Sequence, residues 1–245
     1  MTSRTSRVLI AALATTLVVG AMGCGLINKA QQVVGAAKIL GDFSDLLEKG
    51  QKLTYTATYN VEGGNQVTLT QQPPNSAYIG KSGRYIFTPS AMYLCDTEKG
   101  VLTCQKSTPS GTSVDASDAG LVSGVTGDAF VSPALALGLI AATILVPGAK
   151  VSESSKTIAG QSSRCATASN LDAAASPGDT SAPRDFTVCV TESGALASFT
   201  GTDTSGKKLG MVMATYSSTV DANSFKPPVG AKIVDVDQIE TPPSN

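Results

Sequence analysis

Cysteine is the residue type through which this sequence could most readily do chemistry, and four of its five cysteines fall into two symmetric settings. Cys95 and Cys104 flank Asp96-Thr97-Glu98-Lys99-Gly100, a turn-forming run between two apolar strands. A hairpin centred between Lys99 and Gly100 puts them opposite each other. Cys165 and Cys189 are centred on Pro177, inside the polar stretch Asn170 to Pro183. Both pairs read as disulfide staples across hairpins, although pairing Cys95 with Cys165 or Cys189 stays open at the level of sequence. A four-cysteine zinc site does not fit, because structural zinc takes cysteines about two to four residues apart. The chain has no His and no Trp. Ser-His-Asp and Cys-His nucleophiles and His-ligated zinc or haem are thereby excluded. No two carboxylates stand out as an acid–base pair, and Asp115, Asp118 and Asp128 lack the spacing of a calcium loop. The sequence offers no catalytic residues, no metal site and no cofactor, so the expectation is a protein that is not an enzyme.

The fifth cysteine stands at the end of a leader. Arg4 and Arg7 open a basic start, Val8 to Val19 form an apolar run, and Gly20-Ala21-Met22-Gly23 lead to Cys24. That order is the grammar of an export signal, and the run is short of the ~20 residues of a relaxed membrane span. The Ala-x-Gly-Cys junction resembles the bacterial lipobox, in which the thiol receives a diacylglyceryl group and the leader is cut before it. The resemblance implies a signal peptide over 1–23 and an acylated Cys24 as the first mature residue. Two or more acyl chains hold a protein on a bilayer firmly where one does not. The expected location is the extracytoplasmic face of the cell membrane, an oxidising compartment suited to disulfides. Of 18 basic and 19 acidic residues, Arg4 and Arg7 leave with the leader, so the mature body is weakly anionic. Attachment then falls to the lipid, and with no Lys or Arg run a nucleic-acid partner is not expected.

Elements to position these residues follow from periodicity. Leu26 to Glu48 repeats apolar residues at helical spacing and Gly50 ends it, giving an N-terminal amphipathic helix in a 24–50 segment. Beyond Gly50 the period becomes two: Leu53, Tyr55, Ala57, Tyr59 and Val61 share one face, and Gly63-Gly64-Asn65 turns the chain into Val67 to Thr70. Short strands follow at 76–80, 84–88, 91–95 and 101–105, an antiparallel meander. The segment 121–146 is apolar or small almost throughout, and Pro133 suits the first turn of a helix over Ala134 to Val146. Being apolar on nearly all sides, that central helix must be enclosed or seated in a groove. Strands resume at 149–158, 162–169, 186–190, 195–202 and 207–218. Phe225-Lys226-Pro227-Pro228 closes a β domain spanning 51–230, and 231–245 reads as a C-terminal tail.

The lipobox, the N-terminal helix, the Tyr55-x-Ala57-x-Tyr59 strand, the apolar central segment, the meander with Cys165 and Cys189 and the Phe225-Lys226-Pro227-Pro228 end together resemble the LolA-like superfamily of bacterial lipoproteins. That superfamily takes in LolA, LolB and mycobacterial lipoproteins of the LppX and LprG type. The resemblance implies an α+β fold: a curved antiparallel half-barrel sheet, with the amphipathic helix and the central apolar helix packed in its concavity. It also implies an apolar cavity that holds lipid or glycolipid acyl chains. The inward residues expected to line it are Leu53, Tyr55, Tyr59, Val67 and Leu69 from the sheet, with Leu135, Leu139 and Ile144 from the helix. The expected function is a membrane-anchored lipoprotein binding or transferring an amphiphile. The alternative is a structural or accessory envelope lipoprotein with a filled core, no ligand and an envelope protein as partner.

Overall fold

A computed structural model describes residues 24–98, 100–114, 118–127, 129–171 and 183–238, with side chains from Gly35 onward. The leader, Asp115, Asp128, most of the Asn170 to Pro183 excursion and the last residues of the tail lie outside the described residues. Helix α1 (Cys24–Gly50) precedes six strands: β1 (Tyr55–Val61), β2 (Asn65–Gln72), β3 (Asn75–Ile79), β4 (Gly83–Thr88), β5 (Ala91–Glu98) and β6 (Val101–Ser107). Helices α2 (Ala119–Thr126) and α3 (Pro133–Ile144) follow. The second half adds β7 (Lys150–Ile158), β8 (Gln161–Ser169), β9 (Pro183–Thr191), β10 (Leu196–Asp203), β11 (Lys208–Ser217) and β12 (Lys232–Asp235).

The twelve strands among the described residues form one sheet in the order β12-β6-β5-β4-β3-β2-β1-β11-β10-β9-β8-β7. The two meanders join where β1 pairs antiparallel with β11, with a register shift between Thr58 and Tyr59. The sheet is curved and stays open. Its curl brings β7 back within reach of β11, four places along the order. Alternation along β1 sends Tyr55, Ala57, Tyr59 and Val61 inward, as the period-two pattern requires. Leu40, Phe43 and Leu47 of α1 and Ala136 and Ile140 of α3 meet them in one core that runs across both halves. Both disulfides, Cys95–Cys104 and Cys165–Cys189, join directly opposed residues of neighbouring strands. They sit away from the main core, Cys165 and Cys189 packing with Ala197 on the outer face.

Two expectations change. The apolar stretch 121–146 is not one helix, because Gly127 takes a left-handed φ of 90° after α2 and Pro133 opens α3 after Ser132 caps it. The helices accordingly part company: α2 lies on β3 and β4, whereas α3 packs on α1. The second change concerns 231–245, read as a tail. Its described part contains β12, which pairs parallel with β6 and becomes the edge of the sheet. The chain reaches that edge by laying Val220 and Phe225 on Ala77, Ile86 and Tyr93, on the outer face of β3 to β5.

Candidate functional site

The side chains expected to line a cavity divide into two groups. Tyr55, Tyr59, Val67 and Leu69 are at most 1% exposed and belong to the packed core, with half-buried Leu53 and Leu139 against it. Tyr59 donates its hydroxyl to the Leu196 carbonyl at 2.8 Å and sets its ring edge-on to Phe130, which also meets Tyr78 edge-on. Tyr55 stacks on Tyr216 with centroids 5.7 Å apart. Burial pushes the Tyr55, Tyr59 and Tyr78 hydroxyls well above the usual phenol value, so these groups stay protonated and the core carries no charge there. The concavity expected to hold a ligand is, at these four residues, filled by aromatic and aliphatic side chains.

Open space lies at the ends of α3 instead. At its C-terminal end a groove of about 420 Å³ runs between α1 and the corner where α3 turns into β7. Ala36, Ala37 and Leu40 form one wall, and Ile144, Leu145 and Val146 the other. Leu145 is 81% exposed and Ile144 43%. Lys150 contributes the one charged side chain of the lining. A second crevice of about 250 Å³ between α2 and α3 includes Leu135 and Phe130. Of the eight expected residues, then, Ile144 faces the groove and Leu135 the crevice.

The groove exists because α1 is held at a fixed distance from the β7 edge. Arg164 on β8 donates from Nε to Glu153 of β7 at 2.7 Å, stands 5.5 Å over the Phe43 ring and lies 3.9 Å from Asp42, so one guanidinium ties α1 to the sheet. At the far end of the helix Gln71 donates from its amide to the carbonyls of Gly50 and Leu53 at 2.8 and 2.9 Å. The Gly50 carbonyl also accepts the Leu53 N–H at 3.0 Å, so the Gln71 amide reinforces the turn by which the chain leaves the helix. Small residues at 35–37, Gly-Ala-Ala, then leave α1 without bulk opposite Leu145. That small-residue run was the visible signal for the groove, and helical periodicity alone could not tell which neighbour it would face.

The fold and groove define an α+β half-barrel, an open and mostly antiparallel sheet wrapped on helices, with apolar space on its helical side. Solved structures similar to the chain include the following two. The crystal structure of an uncharacterized conserved protein from Thermus thermophilus is 10% identical over 80% of this chain and 98% of that one, with a TM-score of 0.43. That of the Mycobacterium tuberculosis lipoprotein LppX is 12% identical over 80% of this chain and 97% of that one, with a TM-score of 0.38. No protein-family model and no curated protein matches the chain. No helix among the described residues is long and apolar enough to cross a membrane.

Proposed function

We propose that the protein is a lipoprotein held on the extracytoplasmic face of the cell membrane through an acylated Cys24, and that it binds one acyl chain of an amphiphile. The observation that carries the binding is the groove between α1 and the α3–β7 corner, apolar on both walls and open to solvent. Its volume of about 420 Å³ lies in the ~300–1,000 Å³ range of small-molecule sites. An amphiphile seated there leaves its head group in water near Lys150 while Ile144 and Leu145 lose solvent exposure, which is the favourable term.

The test is native mass spectrometry of protein made without its leader and with Cys24→Ser, incubated with palmitate. An added mass that disappears when Ala37→Trp fills the groove is the expected result. A mass that stays bare, or an adduct indifferent to Ala37→Trp, would sink the proposal. The anchor has its own test: labelled palmitate enters the exported chain and fails to enter the Cys24→Ser variant. Filling of the concavity by Tyr55, Tyr59, Val67 and Leu69 favours a second reading, an accessory envelope lipoprotein without ligand. A bare mass together with palmitate labelling would select it.

A further inference from the structure

Ile144 and Leu145 stand side by side, largely in solvent, at the corner where α3 turns into β7. The other large apolar side chains left exposed, Val212 and Val229 among them, occur singly along the chain. Fraying does not account for the pair. The Leu145 and Val146 N–H groups donate to the Ala142 and Thr143 carbonyls at 3.1 Å, and the Ala149 N–H donates to the Val146 carbonyl at 3.3 Å. Gly148 supplies the positive φ of 83° that leads into β7. The backbone thus fixes an apolar projection in water, and such a projection beside a groove marks a surface that something else covers.

Charge indicates the cover. The acids beside the groove are paired, Asp42 with Lys38 at 3.3 Å and Glu153 with Arg164. Lys150, exposed in the groove lining, has no ion-pair partner among the described residues, so the corner sets apolar surface beside a net positive charge. That combination suits an anionic lipid surface. The register of α1 agrees. Leu26, Lys29, Ala30 and Val33 occupy positions on the helical face that carries Ala37 and Leu40, so the apolar wall of the groove continues toward Cys24. The continuation covers twelve residues, about 18 Å of helix. A basic amphipathic stripe of this kind lies in the plane of a bilayer. We propose that the α3–β7 corner inserts Ile144 and Leu145 into the head-group region of an anionic bilayer, beside α1, with the mouth of the groove facing the lipid. This deepens the proposed function and rests on it for the ligand of the groove, whereas the bilayer contact is carried by the corner and the stripe.

The chain has no Trp, so Leu145→Trp at this exposed site makes a single fluorescent reporter. The protein is made without its leader and with Cys24→Ser, so that no anchor drives binding, and is mixed with vesicles of equal parts phosphatidylcholine and phosphatidylglycerol. The expected result is blue-shifted emission quenched by lipids brominated along the acyl chain. No change is expected for Val229→Trp, a fully exposed control between Phe225 and β12. Lys150→Gln should weaken vesicle binding about fivefold, the worth of one basic residue near an anionic surface. Ala37→Phe, checked for native circular dichroism, fills the groove without adding a Trp. Quenching that persists in it supports the bilayer contact. Quenching that vanishes assigns the signal to a lipid lifted into the groove and overturns the proposal. An unshifted spectrum or equal shifts at both reporter sites would overturn it too. So would a shift that follows protein concentration without vesicles, the sign of a second copy covering the corner. The palmitate adduct keeps the two readings apart: a bare mass with persistent quenching removes the groove's ligand and supports the bilayer contact.

Discussion

Gly50 meets Gly194 where the end of α1 abuts the turn between β9 and β10. A Cβ built on Gly50 would lie within 1.9 Å of the Gly194 carbonyl oxygen, and Gly194 itself has a φ of 108°. Both partners are backbone, so no side chain can rotate away, and Gly50→Ala has to push α1 off the sheet. The expected loss is about 1–3 kcal/mol, the range for overpacked interiors, read as a lower denaturant midpoint at unchanged slope. Gly35 is the control in the same helix. A Cβ there meets nothing within 4 Å, so Gly35→Ala is expected to add about 0.5–1 kcal/mol through helix propensity. Equal effects of the two substitutions would show that the contact with Gly194 does not hold α1 in place. Gly50 was legible in the sequence as the end of a helix. Its contact with a turn more than a hundred residues away was not, because local pattern carries no information about which loop a helix end will strike. The same limit hid Gln71, a polar residue just past the Val67 to Thr70 run that carries no local sign of its burial beneath the helix terminus.

Strands and their staples were the most legible elements, because alternation and turn residues are local signals. The two disulfides close spans of 9 and 24 residues. On the chain-entropy model they are worth about 2.7 and 3.5 kcal/mol respectively. Replacing Cys165 and Cys189 by Ala is therefore expected to cost more stability than replacing Cys95 and Cys104, a ranking that chemical denaturation reads directly. The reverse order would place the gain in native packing rather than in the unfolded chain. The split of 121–146 was less legible, since an unbroken apolar run masks the left-handed turn at Gly127. Strand β12 was invisible for another reason: its partner β6 lies far away in sequence and pairs with it parallel. Charge secures that edge. Lys106 Nζ lies 2.8 Å from Asp235, and the Thr108 N–H donates to Asp237 at 2.6 Å. Hydrogen bonds from Thr108 hold the Asp237 carboxyl below its ordinary value of 3.8. A carboxyl lowered in the folded state contributes stability above its unfolded pKa and loses it as pH falls through the folded one. Strand β12 is thus expected to fray below about pH 4, ahead of the rest of the sheet, with Asp237→Asn reproducing the effect at neutral pH. Hydrogen exchange at Ile233 and Val234 measures it, and uniform acid loosening of all edge strands would contradict it.

At the scale of the molecule, two meanders are joined through one strand pair and share one core, and whether they unfold together depends on that junction. Tyr55 and Tyr59 lie on β1 at the junction and Tyr78 on β3, and all three point under the helices. Their hydroxyls are raised by burial, for Tyr55 with the neighbouring Tyr59 adding to the effect, and for Tyr78 with the Asp118 charge adding to it. The sign of the linkage follows. A phenol whose folded pKa exceeds the unfolded value of 10 lends no pH dependence at neutrality, and its contribution is lost as pH climbs above 10 toward the folded value. Ionising any one of the three would put a charge into a packed aromatic cluster, so the native state withholds these protons and alkali must unfold the junction to release them. The expected observation is a cooperative loss of near-ultraviolet circular dichroism above pH 10. Phenolate absorbance for these three tyrosines should rise with that transition and not before it. Because β1 belongs to both halves, far-ultraviolet dichroism should fall at the same midpoint. Two separated transitions, or full phenolate absorbance from all six tyrosines while the dichroism is still native, would show that the halves are independent and that the core is wet at its centre. That last outcome would also reopen the concavity as a ligand cavity, since side chains reached by hydroxide leave room that the packed core now occupies.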